Sequence, residues 1–147
     1  MAKKTLWRCP VCSREFAKAR QAHSCRPVSV ELHFEGKAVW LRELFDDLCK
    51  QLAKFGALRI DAVKSGINLI PSHHMGGVRV LRDRLRVGFL LSRRLQDPRI
   101  ARWQQIGPNA HIHAVNLSSK QDLDAEFLSW LKEAYQRAAR TRAAVAR

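Results

Sequence analysis

A chain of 147 residues with 46% hydrophobic side chains can bury one ordinary core plus a small appendage, and it is too apolar for wholesale disorder. No apolar run approaches the roughly 18 residues of a membrane-spanning helix, and the longest candidate, around Val87–Leu91, leaves no place for a membrane span. Net charge is +14, divided as +6 on residues 1–27, +4 on 28–131 and +4 on 132–147, so both ends are basic and the middle is nearly balanced.

The opening segment, Met1 to Trp7, is basic and runs straight into cysteines. It lacks the apolar stretch of a secretory signal, so a cytoplasmic protein with reduced thiols is expected. Cys9-Pro-Val-Cys12 is followed after ten residues by His23-Ser-Cys25, giving the spacing C-x2-C-x10-H-x-C. Three thiolates and an imidazole fill a tetrahedral zinc ion and leave no open position, the mark of a structural Zn2+ site. The ligand set is Cys9, Cys12, His23 and Cys25, with His33 in reserve should His23 point away. A redox CxxC would precede a helix in a βαβ context, which this chain lacks. Residues 1–27 hold few large apolar side chains besides Trp7, Phe16 and Val11, so metal binding would supply the folding energy of a small knuckle. Arg26-Pro27-Val28-Ser29 reads as the linker to a second domain over 28–139.

From Lys37 to Phe55, the apolar residues Leu41, Leu44, Phe45, Leu48, Leu52 and Phe55 fall on one helical face, and Gly56 suits a left-handed cap. Cys49 lies beside that stripe as a small packed thiol rather than a reactive one. Leu58–Val63 and Ile67–Pro71, separated by Lys64-Ser65-Gly66, predict a hairpin. Val78–Leu91 predicts a second hairpin turning near Asp83, with Leu85, Val87, Phe89 and Leu91 on one face and Arg84 and Arg86 on the other. Residues 97–106 are ambiguous and read as a short helix, and Ala110–Val115 reads as a fifth strand.

A final helix starts near Ser118 or Ser119, with Asp122, Asp124 and Glu126 at its positive end. Its stripe is Leu123, Phe127, Trp130, Leu131, Ala134 and Tyr135, and residues 140–147 form a basic tail. The fold expected is α+β: an antiparallel sheet of about five strands covered on one face by two main helices.

Between Arg79 and Arg102 stand eight arginines, two aspartates and no lysine. Guanidinium matches phosphate bidentately, so a sheet face of arginines could track a phosphate backbone. An exposed charge run is also simply a solvated face. Lys3, Lys4, Arg8, Arg14, Lys18 and Arg20 around the knuckle join Arg79, Arg84, Arg86, Arg93 and Arg94 as candidate contacts to DNA or RNA, with Trp7 or Phe16 available to stack on a base. His73-His74 and the strand pair His111 and His113 are not completed by a carboxylate or cysteine. No nucleophile elbow, phosphate-cradling glycine loop or HExxH motif occurs.

Several stretches together resemble a known family. They are Trp7–Phe16, Gln21–Cys25, Glu31–Lys37, Leu44–Leu48, Asp97-Pro-Arg-Ile100, His113 and the Asp124-x-x-Phe-x-x-Trp-Leu-x-x-Ala-Tyr135 run. They are similar to small bacterial proteins with a domain of unknown function, DUF5655. The resemblance implies a small α+β domain that belongs together with the cysteine cluster, and it carries over no catalytic residue.

The function expected is a non-enzymatic, zinc-containing module that contacts nucleic acid through basic surfaces. Two other classes stay open: a protein-interaction adaptor whose zinc site only stiffens a docking surface, and an enzyme using the histidines near the sheet. The zinc ligand set makes a direct prediction. Metal analysis of the purified protein is expected to give one zinc per chain. Cys12→Ser is expected to lose it and unfold residues 1–27, while the later domain keeps its cooperative melt. Loss of that melt in the variant would contradict two separate sources of stability.

Overall fold

The computed structural model of the chain describes residues 6–10, 15, 16, 20 and 29–145. Near the start, β1 (Trp7–Arg8) pairs antiparallel with β2 (Glu15–Phe16) as a two-stranded sheet. The rest is α+β. Two helices, α1 (Val30–Phe34) and α2 (Val39–Ala53), lead into β3 (Arg59–Val63), β4 (Gly66–Ile70), β5 (Gly76–Val80), β6 (Leu85–Leu91), β7 (Ile100–Gly107) and β8 (Ala110–Leu117). A 3-10 turn at Lys120–Asp122 then precedes α3 (Ala125–Val145). All six strands form one antiparallel sheet in the order β3-β4-β5-β6-β8-β7.

One face of this sheet is covered. Leu85, Val87, Phe89 and Leu91 of β6 are fully buried, as are Ile67 and Leu69 of β4. Leu41, Leu44, Phe45, Leu48 and Leu52 of α2 meet them from one side, and Phe127, Trp130, Leu131 and Ala134 of α3 from the other. Each such side chain contributes roughly 1.5–3 kcal/mol by leaving water. Tyr135 of α3 donates its hydroxyl to the Ala57 carbonyl at 2.8 Å, tying the end of the second helix to the third.

Four features differ from the sequence expectation. Residues 100–107 are a strand and not a short helix, which makes six strands rather than five. As an edge strand paired only with β8, β7 is exposed along most of its length and therefore shows no alternation. The turn ahead of it is set by Asp97, which accepts the Arg99 N–H on its carboxylate at 2.9 Å and the Ile100 N–H on its carbonyl at 3.0 Å. The third helix is capped by Asp124, whose carboxylate accepts the Phe127 N–H at 2.9 Å. Ser119 instead opens the preceding 3-10 turn, its N–H held by Asp122 at 3.2 Å. Gly56 follows α2 at φ +144°, outside the left-handed helical region, and a Cβ there would collide with the Tyr135 hydroxyl. The third helix also continues to Val145, into the segment read as a basic tail.

Gly76 lies at φ +157°, and a Cβ on it would run into the Gly88 carbonyl across the β5–β6 ladder. Gly36 also has positive φ (+71°) but faces open space. Gly76→Ala is expected to cost about 3 kcal/mol, and Gly36→Ala about 1 kcal/mol, read from urea midpoints. Equal losses at the two positions would contradict the close backbone approach at Gly76.

Candidate functional site

Because β6 turns Leu85, Val87, Phe89 and Leu91 toward the helices, its other residues, Arg86, Gly88 and Leu90, face outward. Among the described residues no helix covers this second face, and the ladder register arranges it in rows. One row crosses the whole sheet as Asp61, Asn68, Gly77, Gly88, Ala114 and Arg102. A second places Arg79 directly opposite Arg86, which in turn faces Asn116. A third sets Ile112 between Leu90 and Gln104.

The result is an open trough of about 820 Å3. Its floor, Gly77, Gly88 and Ala114, carries almost no side chain. Arg79, Arg86 and Arg102 all line it, and among the described residues no aspartate or glutamate does. Asp61 stands beyond that lining, on the edge strand β3. Arg86 donates through Nε to the Asn116 side-chain oxygen at 3.2 Å. Among the described residues, the side chains of Arg79 and Arg102 make no hydrogen bond or ion pair. Like charges directly opposite on neighbouring strands destabilise a sheet by up to about 1 kcal/mol, so folding alone does not favour the Arg79–Arg86 pair.

Residues 30–138 match the family described as a domain of unknown function, DUF5655. The chain belongs to the DUF5655 family. The match runs from α1 into α3 and so contains the whole trough, while the cysteine segment precedes it. No curated protein and no solved structure matches the chain.

Within the DUF5655 domain the arginines expected to act together divide. Arg79 and Arg86 share the trough. Arg84 sits in the β5–β6 turn with Nη1 on Asp83 at 2.8 Å, and its Nε is buried without a partner. Arg93 grips Glu133 of α3 through two bonds of 3.0 and 3.1 Å. Arg94 lies 3.9 Å over the Trp103 ring. Nearer the start, Arg8 pairs with Glu15 at 2.7 Å and Arg20 is exposed. Lys3, Lys4, Arg14 and Lys18 lie outside the described residues, as do Cys12, His23 and Cys25. Cys9 is buried at the end of β1. His33 uses Nε2 to donate to the Val63 carbonyl at 2.7 Å, which engages it within the domain.

Sequence reasoning missed Arg102, Asn68, Gly77 and Gly88. Only Gly88 left a signal: it interrupts the outward side of an otherwise regular alternation between Leu85 and Leu91.

The histidines of this DUF5655 domain do not gather. His73 and His74 are exposed on the β4–β5 connection. His111 accepts from the Trp103 indole N–H on Nδ1 at 3.2 Å. His113 is fully buried, stacks on Phe89 at 5.4 Å and accepts the Leu95 N–H on Nε2 at 2.9 Å. Its Nδ1 has no partner. Among the described residues no group of three or more His, Cys, Asp and Glu side chains could hold a metal ion. Burial pushes the Cys49 thiol up to about 11, which suits a packed, unreactive side chain.

Burial also lowers the His113 pKa, with the Arg93 charge acting in the same direction. The folded protein therefore takes up this proton at lower pH than the unfolded chain, whose histidine titrates near about 6.5. The stabilising contribution is complete above that value and drains away as pH falls through it toward the lower folded value. Stability is expected to fall below pH ~6.5 with a slope of up to about 1.4 kcal/mol per pH unit from this residue. Urea midpoints of wild type and His113→Gln across that range check it. An unchanged slope in the variant would contradict the role given to His113.

Proposed function

We propose that the chain is a binding module that holds nucleic acid along the open sheet face. The observation that carries this is the trough: three arginines converge on it, and among the described residues two of their side chains have no partner and no carboxylate lines it. A phosphate backbone supplies the missing counter-charge, and guanidinium is the side chain best shaped to meet it. The charge of +14 on the whole chain favours encounter with any polyanion.

The amino-terminal segment serves as a second basic contact, held by a structural zinc ion on Cys9, Cys12, His23 and Cys25. Its donor set suits zinc in type and number. The β1–β2 pairing supports this, with Cys9 buried directly after β1. The zinc acts only as a clamp in this scheme. Lys3, Lys4, Arg8, Arg14, Lys18 and Arg20 are its proposed contacts to the nucleic acid.

Retention of a mixed pool of single-stranded DNA and RNA is expected at low ionic strength, weakening steeply with salt. Arg79→Ala and Arg86→Ala are each expected to reduce the slope of log affinity against log salt by about 1, with little change in stability. Absence of salt-sensitive retention, or slopes untouched by both substitutions, would overturn the assignment of this face. Recovery of one protein partner in high salt and nuclease would point instead to an adaptor.

A further inference from the structure

Gly88 is not a glycine that the fold requires. It is absent from the residues with positive φ, which among the described glycines are Gly36, Gly56 and Gly76. Among the described residues, a Cβ on Gly88 would meet nothing closer than the His113 carbonyl oxygen at 3.6 Å and the Gly77 carbonyl oxygen at 3.9 Å, both ordinary contacts. It lies mid-strand in the middle of a six-stranded sheet, where glycine costs roughly 0.5–1 kcal/mol relative to alanine and β-branched residues do better still. Gly77, its partner, differs: a Cβ there would sit 3.0 Å from the Ile67 carbonyl oxygen. A glycine at Gly88 therefore leaves only one thing unexplained by packing, the bare outward space above it.

That space has a definite shape. Gly77, Gly88 and Ala114 are ladder neighbours on three adjacent strands, so the bare floor is about 10 Å across. Arg79 and Arg86 wall it on one side and Ile112 on the other. A charged wall beside a flat, uncharged floor fits a ligand with a phosphate next to a planar ring. A duplex turns its bases inward and offers the outside only phosphate and groove edges, so it would leave such a floor untouched. A single strand can lay an unstacked base on it and keep its phosphates at the arginines.

We infer that Gly88, flanked by Gly77 and Ala114, is the seat of an unpaired base, so that the strand taken by this face is single. The inference rests on the nucleic-acid reading above and adds the element that distinguishes a base-bearing strand from a bare polyanion.

The test uses the full chain and fluorescence anisotropy with four probes: a single-stranded DNA octamer, an abasic octamer, the octamer as a duplex, and a mononucleotide. Wild type is expected to bind the base-bearing single strand at least tenfold tighter than either the abasic strand or the duplex, and to bind the mononucleotide weakest. Gly88→Val places its side chain in the trough and away from the core. It is expected to melt at or above the wild-type temperature, to bind base-bearing and abasic strands alike, and to keep the wild-type salt slope. Gly88→Ala gives the same loss in smaller measure and serves if the larger variant misfolds. A Gly88→Val or Gly88→Ala protein that keeps the full preference overturns the base seat, as does a wild type indifferent to the bases or one preferring duplex. A mononucleotide binding as tightly as the octamer overturns the strand. If no probe is retained even at low salt, the polyanion reading itself has failed and the base seat falls with it; retention of all strands without base preference removes the base seat alone.

Discussion

The fold depends on β6 presenting its apolar side chains to the helices. Leu85, Val87, Phe89 and Leu91 are all fully buried, and Phe89 stands among His113, Phe127 and Trp130 with ring centroids 5.4–6.4 Å away. A shift of one residue in register would carry the whole set to solvent and Arg86 into the core. The strand is flanked by β5 and β8, so the facing of β6 dictates theirs. Arg79 and Gly77 on one side and Ala114 on the other point outward because Phe89 and its neighbours point inward. Both main helices lie on the same side, so neither covers the arginine-lined face.

The connection between β6 and β7 explains why a run of arginines that looks uniform in sequence has several roles. Arg93 holds Glu133, while Arg99 reaches both Asp124 carboxylate oxygens at 2.8 and 2.9 Å and the Asp122 carbonyl at 2.7 Å. Arg99 also lies 5.7 Å from the centroids of the Phe127 and Trp130 rings. These two clamp the connection to the third helix, and His113 fixes its middle through the Leu95 N–H. Arg94 is laid over Trp103 at the sheet edge. What remains in the trough is Arg79 and Arg86 from the β5–β6 hairpin and Arg102 from the edge strand β7.

Much of the architecture was legible in the chain because burial there is one-sided. Alternation in β6 and the stripes of α2 and α3 exist because each element has one wet face. The strand β7 was hidden for the opposite reason: an edge strand exposed on most of its length has no pattern to display. The short α1 buries no residue fully, and its hold on the domain comes through Phe34 against Phe45 at 5.4 Å and His33 on Val63, contacts that no local spacing encodes. Gly56 looked like a helix cap, yet its neighbour in space is Tyr135, far along the chain. The arginines could be recognised as a group, but which of them meet a carboxylate is decided by tertiary placement. The bare floor shows the same limit: Gly88 is conspicuous in its strand, while Gly77 and Ala114 gain meaning only from the register that sets them beside it.

The most direct test follows backbone amide shifts of the 15N-labelled chain while a single-stranded oligonucleotide is added. The largest changes are expected at Gly77, Gly88 and Ala114 and along the outward rows of β5, β6 and β8, with the amides of α2 and α3 nearly still. Changes confined to the two helices, with the sheet amides unmoved, would contradict a ligand on the open face.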